Sequence, residues 1–262
     1  MIALPEDKRE NNIYVLSDNL LFRQLEKTYL DTRKEEGRLY TDNILAQLPL
    51  VPKGNPLYYE WKIRAGSLKS LIKYFASNKN LEIMDLGCGN GWMANRLSEK
   101  TENFVYAVDI NLPELKQGAA VFNGNERLKF IYADVFEDAL PANSFDAVII
   151  SSAIQYFAKP AELIKKLLKL LKTSGEIHII DSNFYSNQEL NDAKSRTVLY
   201  YKSIGHPEMV EYYHHHSWKV LNEFNYNIIN TVNFKFAGII NKAFRTSISP
   251  FPWIRIKAKD NI

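Results

Sequence analysis

Apolar residues along the chain follow two different periods, and the change falls near residue 80. Over the first part they recur every three or four positions, which is the spacing of one buried helix face. The pattern predicts helices over residues 18–36, 41–48 and 56–77. We therefore expect residues 1–55 to form a helical N-terminal extension that acts as a lid on the domain behind it.

Beyond residue 80, short apolar runs alternate with helical stretches. Strands are predicted over residues 81–86, 103–110, 128–134, 144–153 and 175–182. Helices are predicted between them over residues 91–99, 112–122 and 160–172. Strands that alternate with helices of this length form βαβ units, and right-handed crossovers then build a doubly wound α/β fold. We expect a Rossmann-like domain over residues 56–262, with a mostly parallel sheet and helices on both faces.

The last 80 residues show a weaker pattern. A helix is predicted over residues 206–224, and strands are predicted over 226–232 and 253–259. A short helix over 237–244 is expected between these two strands. Insertions in this part of the chain are expected to form the substrate side of the domain.

A glycine-rich loop joins the first predicted strand of the sheet to the helix that follows. Asp85 precedes Gly87, Gly89 and Gly91, and glycine permits a tight turn and a close backbone approach to a ligand. Dinucleotide sites hold a pyrophosphate on a G-x-G-x-x-G loop, whereas the spacing here is G-x-G-x-G. The loop therefore suits the amino-acid end of S-adenosylmethionine (SAM), with loop amides for its carboxylate and Asp85 for its ammonium.

Two further aspartates end the next two predicted strands. Asp109 follows the second strand, where a carboxylate can accept hydrogen bonds from both ribose hydroxyls. Asp134 follows the third strand and is placed to reach the exocyclic amine of adenine. Each aspartate taken alone has the alternative role of capping the next helix. Together with the glycine loop, they predict a three-point SAM site at the carboxyl ends of the strands.

These segments resemble the class I SAM-dependent methyltransferases, in the branch that includes ubiquinone and menaquinone methyltransferases. The resemblance rests on MDLGCGNGWMANRLSEK (84–100), VYAVDIN (105–111), YADVFEDALPANSFDAVIISSAIQYF (132–157) and LLKLLKTSGEIHIIDS (167–182). It implies SAM as the cofactor and a sheet of seven strands, the last of them antiparallel. It also implies that Cys88, Ile110, Val135 and Ser151 contact the cofactor.

Methyl transfer from a sulfonium is an in-line displacement, so alignment supplies much of the rate, and a base is needed only where the acceptor must lose a proton. Many relatives carry a histidine after the fourth strand, where this chain has Gln155 and Tyr156. The catalytic residues are therefore unknown, and the candidates are Tyr156, His206, His214 and His215. Three adjacent histidines on a helix point about 100° apart, so no metal site is predicted.

The charge and composition of the chain limit the kinds of partner and surroundings that we expect for it. The net charge of +3 is too small to indicate nucleic acid, and no apolar stretch is long enough to span a membrane. A single cysteine, Cys88, allows no intramolecular disulfide, which is typical of a cytoplasmic protein. We expect a small, partly apolar methyl acceptor, and the sequence leaves the oligomeric state open.

Two alternatives remain at this point. A non-catalytic module that binds SAM would carry the same glycine loop and the same aspartates. An NAD-dependent oxidoreductase also has a glycine loop followed by an acidic residue, but the loop spacing and Asp134 argue against it.

Overall fold

The computed structural model describes residues 2–18, 22–230, 236–244 and 247–258. Its strands, numbered along the chain, are β1 (Arg9–Glu10), β2 (Ile13–Val15), β3 (Glu82–Leu86), β4 (Phe104–Asp109), β5 (Leu128–Tyr132), β6 (Phe145–Ser151), β7 (Leu171–Ile180), β8 (Phe184–Tyr185), β9 (His216–Ser217), β10 (Tyr226–Ile228) and β11 (Ile254–Lys257). Its α-helices are α1 (Arg23–Glu35), α2 (Asp42–Leu45), α3 (Tyr58–Phe75), α4 (Trp92–Thr101), α5 (Leu112–Val121), α6 (Pro160–Leu170), α7 (Asn187–Ser203) and α8 (Ala237–Phe244).

One large sheet organises these elements, with the strand order β1-β2-β5-β4-β3-β6-β7-β11-β10. The six strands from β2 to β7 in that order run parallel to their neighbours. Strand β11 pairs antiparallel with β7, and β10 pairs antiparallel with β11. The predicted mostly parallel, Rossmann-like sheet is confirmed, and so is its strand–strand ending.

The sheet is covered on both faces because its strand residues alternate between two apolar clusters. Met84 packs in the cluster that includes Leu163 of α6. Its neighbour Ile83 packs in the cluster that includes Leu71 of α3 and Leu115 of α5. Because β3 to β6 run parallel, their carboxyl ends lie at one edge of the sheet, where the loops that follow them meet.

The sheet has nine described strands, so the expected number of seven is wrong. The two additional strands form an antiparallel hairpin within the segment that was expected to be helical, with Glu10 opposite Ile13. Strand β2 then extends the sheet by pairing with β5. Ile13 and Tyr14 are buried, so apolar packing against the sheet outweighs helix formation here. The helical N-terminal extension is thus only partly correct, since α1 and α2 follow the hairpin.

The predicted helix over residues 206–224 is also wrong. Two short 3-10 helices, Pro207–Tyr212 and Trp218–Glu223, lie on either side of β9. The backbone N–H of His214 donates to the carbonyl of Gln155, and β9 pairs with β8, so this segment satisfies its backbone groups outside a helix. The predicted strand over 226–232 is shorter, and its residues 231 and 232 lie outside the described part of the chain.

Helix α7 was not predicted. Its start has a signal that pattern analysis can use, because Ser186 accepts a hydrogen bond from the Glu189 backbone and the Glu189 side chain accepts one from the Ser186 backbone.

Within the described residues, no helix has the length and apolar character to cross a membrane.

Candidate cofactor and acceptor site

The loop between β3 and α4 has the backbone conformation that its glycines permit. Gly87, Gly89 and Gly91 have φ values of 72°, 56° and 71°, in the left-handed region that side chains disfavour. A Cβ atom on Gly87 would lie 2.5 Å from the Cβ of Ala153, so the loop also packs closely against the segment after β6. The loop is therefore held in one shape by both conformation and packing.

Asp109 at the end of β4 is hydrogen-bonded to this loop. Its Oδ2 atom accepts from the Gly89 backbone N–H at 2.7 Å, and its Oδ1 atom accepts from the Asn111 backbone N–H at 2.8 Å. Burial raises the pKa of Asp109 although the backbone donors oppose that change. A carboxylate oxygen has a second lone pair, so both oxygens retain acceptor capacity for ribose hydroxyls.

Asp85 at the end of β3 has a different environment. Its side chain is buried, and neither carboxylate oxygen has a hydrogen-bond partner among the described residues. Burial, together with the nearby Asp109, raises the pKa of Asp85 to about 7. Since buried polar groups are normally hydrogen-bonded, this orphaned carboxylate fits a cationic group of a ligand, such as the ammonium of SAM.

Two adjoining cavities bring most of the predicted site residues together. The larger, of about 750 Å³, includes Asp85, Cys88, Gly89 and Ser151 in its wall. The smaller, of about 130 Å³, is lined by a set that includes Asp109, Ile110, Asp134 and Val135. Five residues line both cavities and so mark their junction: Tyr29, Gly87, Glu114, Ser152 and Tyr156.

Gly91 lines neither cavity. A Cβ atom there would lie 2.6 Å from the Phe130 ring, so Gly91 contributes to the turn and to the packing of α4 on the sheet. Its direct contact with a cofactor stays a prediction, and the geometry favours a structural role instead.

Asp134 lines the smaller cavity and also caps the turn that follows β5, while its contact with adenine stays a prediction. Its Oδ1 atom accepts from the Phe136 backbone N–H at 2.9 Å, as in a capping turn. Its own backbone N–H donates to Ser17 Oγ, which in turn donates to Glu137. The segment after β2 thus supports the wall of the smaller cavity at Asp134.

Glu114 is a site residue that the sequence analysis missed. It lies on α5, at the junction of the two cavities, and its Oε2 atom accepts from the Asn111 side chain at 3.1 Å. Burial and the nearby Asp109 raise the pKa of Glu114 to about 8. The side chain of Asn111 caps α5 by accepting from the Glu114 backbone N–H. This Asn-x-x-Glu pair is the sequence signal that marks the position.

Helices α1 and α7 form much of the wall of the larger cavity away from the loop. Tyr156 accepts a hydrogen bond from Arg33 of α1, and its ring contacts Tyr29 and Tyr213 edge to face, at 5.6 and 5.9 Å between centroids. Residues of α1 were not predicted to be in the site, since nothing in the sequence shows which of its faces meets the sheet. Tyr156, a catalytic candidate, is placed in the cavity wall.

The remaining catalytic candidates separate clearly. His215 lines the larger cavity, whereas His206 and His214 line neither cavity. The Nδ1 atom of His206 lies 3.2 Å from the Oε1 atom of Glu208, within hydrogen-bonding distance. In the described part of the chain, no group of three or more His, Cys, Asp or Glu side chains is placed to hold a metal ion.

Ion pairs between arginine and glutamate side chains form another part of the wall of the larger cavity. Arg38 donates twice to Glu60, at 2.7 Å in each bond, and Arg64 donates to Glu60 at 2.9 Å. The Arg64 guanidinium also lies 5.5 Å from the centroid of the Trp61 ring. Burial raises the pKa of the Cys88 thiol well above its ordinary value, which disfavours the thiolate form that a nucleophile needs.

Comparison with known proteins agrees with this geometry. The family model for a methyltransferase domain matches residues 77–228, which is more than half of the chain. An uncharacterized methyltransferase of Mycobacterium bovis is 30% identical over 98 residues, which cover 37% of this chain and 49% of that protein. The demethylmenaquinone methyltransferase of Clavibacter sepedonicus is 29% identical over 129 residues, which cover 49% of this chain and 51% of that protein. The chain spans about half the length of these curated relatives.

Solved structures show the same fold at low identity. A putative sarcosine dimethylglycine methyltransferase from Galdieria sulphuraria aligns with a TM-score of 0.58 and 13% identity, over 90% of this chain and all of that one. A geranyl diphosphate C-methyltransferase from Streptomyces coelicolor aligns with a TM-score of 0.54 and 12% identity, over 80% of this chain and 83% of that one. Neither alternative, oxidoreductase or non-catalytic module, is favoured by these matches. The chain belongs to the class I SAM-dependent methyltransferases, whose cofactor is SAM.

Proposed function

We propose that this chain transfers the methyl group of SAM to a small, partly apolar acceptor that binds in the larger cavity. The observation that carries the proposal is Asp85, a buried carboxylate without a partner that lines the same cavity as a set of aromatic side chains. A cation is needed beside Asp85, and the aromatic wall offers space for a second molecule close to it.

The residue types in the two cavities suit each part of SAM in turn. The ammonium would meet Asp85, and the carboxylate would meet the amides of Gly87 to Gly89. The ribose would bind Asp109, while Ile110, Asp134 and Val135 would surround the adenine in the smaller cavity. Cys88 and Ser151 would contact the methionine part from the larger cavity. When bound there, SAM supplies an electrophilic methyl group at the junction where the acceptor enters.

The acceptor side is supported by the chemistry of the cavity wall. Polar and apolar surfaces are mixed, because tyrosines and a histidine stand beside arginines from α1 and α3. The names of relatives point the same way, since they act on demethylmenaquinone or on geranyl diphosphate. A small molecule with an apolar body and a polar group matches both observations.

The proposal is tested in two steps on the purified full chain. Calorimetry first measures the binding of SAM, of S-adenosylhomocysteine and of NAD. Tritium-labelled SAM is then incubated with a panel of small acceptors, and transfer of the label is counted. We expect binding of SAM and its product, no binding of NAD, and label in at least one acceptor, with Asp85→Asn reduced in both steps. Binding without transfer to any acceptor would favour a non-catalytic module, and binding of NAD alone would refute the proposal.

A further inference from the structure

His215 and Tyr156 both lie in the wall of the larger cavity, and both contact the ring of Tyr213. The ring of Tyr213 contacts Tyr156 at 5.9 Å and His215 at 5.3 Å between centroids. All three residues line the larger cavity. A small ring bound against Tyr213 would therefore have both the Tyr156 hydroxyl and the His215 imidazole close to its edge.

The His215 imidazole is held in position and kept neutral. One ring nitrogen, Nε2, shares a hydrogen bond of 2.9 Å with the Thr197 hydroxyl of α7. In the tautomer whose Nε2–H donates to Thr197, Nδ1 carries the lone pair that can accept a proton. Burial lowers the pKa of His215, and nearby positive charges lower it further. The titratable or charged groups around it are Tyr185, Lys194, Arg196, Tyr213 and His214.

Tyr156 is prepared to donate a hydrogen bond. Its hydroxyl oxygen already accepts from the Arg33 guanidinium, so its own proton is left for another partner. Arg33 is fixed by Glu36, and its guanidinium lies 4.7 Å from the centroid of the Tyr29 ring. Only 16% of the Arg33 side chain is exposed, so water screens its positive charge weakly. That charge therefore acts on a ligand group that is hydrogen-bonded to Tyr156.

The charges of the cavity favour an acceptor that becomes an anion over one that is a cation. Glu36 is paired with Arg33 and Arg38, and Glu60 is paired with Arg38 and Arg64. Asp181 accepts from the hydroxyls of Ser67 and Ser249. Among the carboxylates described in this wall, Asp85 is the one without a partner, and the proposed function assigns it to the cofactor.

We propose that the acceptor is a small aromatic compound with an acidic hydroxyl group, whose proton is taken by His215 while Tyr156 holds the resulting oxyanion. The inference rests on the proposed methyltransferase function and names its substrate class. His215 and Tyr156 would act as catalytic residues, and Arg33 as a positioning residue that acts through Tyr156.

The proton and electron count closes without a further reactant. The hydroxyl proton passes to the His215 imidazole, which becomes an imidazolium. The acceptor oxygen then forms its bond to the methyl carbon as the carbon–sulfur bond breaks, and that electron pair stays on sulfur. The product is a neutral aryl methyl ether, and the imidazolium returns one proton to solvent.

The test uses 4-nitrophenol as the probe, because its ionised form is coloured and needs no methyl transfer to be seen. Absorbance titrations are recorded with the full chain and saturating S-adenosylhomocysteine, whose own binding is measured by calorimetry on the same sample. We expect the bound probe to ionise at a pH lower than the free probe by about one unit, which corresponds to about 1.4 kcal/mol of preferential binding of the ionised form.

Variants separate the proposed roles. His215→Asn reduces the shift, whereas His214→Asn leaves it unchanged, because His214 lies outside both cavities. Tyr156→Phe and Arg33→Gln each reduce the shift, and the double variant reduces it no further than Tyr156→Phe alone, since Arg33 acts through Tyr156. Retained binding of S-adenosylhomocysteine shows that each variant is folded.

Two results would overturn the assignment. One is a bound probe that ionises like the free probe, or that keeps its shift in His215→Asn. The other is a protein that binds S-adenosylhomocysteine and fails to bind the probe, which would reject the acceptor class and leave the methyltransferase proposal standing. Failure to bind S-adenosylhomocysteine would instead refute the proposed function itself.

Discussion

Two carboxylates at neighbouring strand ends, Asp85 and Asp109, differ in what their oxygens contact. Asp109 accepts from two backbone N–H groups and is held against the glycine loop. Asp85 is buried deeper and has no partner among the described residues. A carboxylate that is already oriented is suited to a neutral, directional ligand group, and an orphaned carboxylate is suited to a cation. The two residues should therefore respond differently to substitution.

Asp109→Ala is expected to weaken SAM binding by an order of magnitude or more, because two hydrogen bonds from ribose to a carboxylate are lost. The substitution also releases the Gly89 N–H from its acceptor, which adds to the loss. Calorimetry measures the affinity. The control is Asp138→Ala, because the Asp138 side chain is fully exposed, pairs with Lys166 and lines neither cavity. Unchanged affinity in Asp109→Ala would refute the ribose assignment.

Asp85 should couple cofactor binding to protons. Its pKa is raised to about 7, so a fraction of the protein carries a proton there at neutral pH. An ammonium bound beside it favours the ionised carboxylate, so binding of S-adenosylhomocysteine releases part of a proton and tightens as the pH rises through about 7. Calorimetry in buffers of different ionisation enthalpy measures this release.

Asp85→Asn should abolish that release. Glu114→Gln is the comparison, because Glu114 is the other carboxyl at the site whose pKa is strongly raised, to about 8. A release that persists in Asp85→Asn and disappears in Glu114→Gln would transfer the assignment from Asp85 to Glu114.

At the scale of elements, α1 and α7 close the cavity together. The Tyr200 hydroxyl of α7 donates to the Glu36 carboxylate beside the end of α1, at 2.7 Å. Helix α7 also brings Thr197 to His215 and Tyr201 to Tyr213. The position of the acceptor wall therefore depends on a helix whose start is defined by a capping box at Ser186.

Ser186→Ala is expected to lower the free energy of unfolding by about 1 kcal/mol, because loss of the cap leaves backbone N–H groups of the first turn unpaired. Urea denaturation followed by circular dichroism measures the change. Ser195→Ala, at an exposed position within the same helix, is the control and should be neutral or slightly stabilising. Equal effects in the two variants would show that the capping box contributes nothing to α7.

At the scale of the whole molecule, the N-terminal hairpin completes one edge of the sheet. Strand β2 pairs along β5, from Ile13 opposite Phe130 to Val15 opposite Tyr132. Ser17 continues this contact to Asp134 in the wall of the smaller cavity. The hairpin thus covers an edge that would otherwise expose unpaired backbone groups, and it connects that edge to the cofactor site.

Deletion of residues 2–16 should destabilise the protein by several kcal/mol and promote self-association. The buried side chains of Ile13 and Tyr14 are lost, each worth about 1.5–3 kcal/mol, and β5 becomes an open edge strand. Denaturation and concentration-dependent light scattering measure the two effects. Glu10→Ala, on the exposed strand β1, should change neither. A deletion variant that stays monomeric and fully stable would show that the hairpin is dispensable.

Much of the cofactor half was predictable from the sequence. The glycine spacing after Asp85, and the acidic residues at the ends of the next two strands, follow from local backbone geometry and from the rule that parallel strands end at one edge. The chain alone therefore predicted the α/β class, which the structure confirms, and a SAM site at residues such as Asp109, which stays a prediction. Local signals of this kind survive without knowledge of the tertiary fold.

Only the tertiary structure decided which residues line the part of the larger cavity proposed for the acceptor. Residues 214–216 were expected on a helix, but backbone pairing to Gln155 and to β8 holds them extended, so His215 and not His214 reaches the cavity. The placement of Arg33 beside Tyr156 joins positions 123 apart in the chain. Contacts of that separation depend on which faces of α1 and α7 pack on the sheet, and no local pattern carries that information.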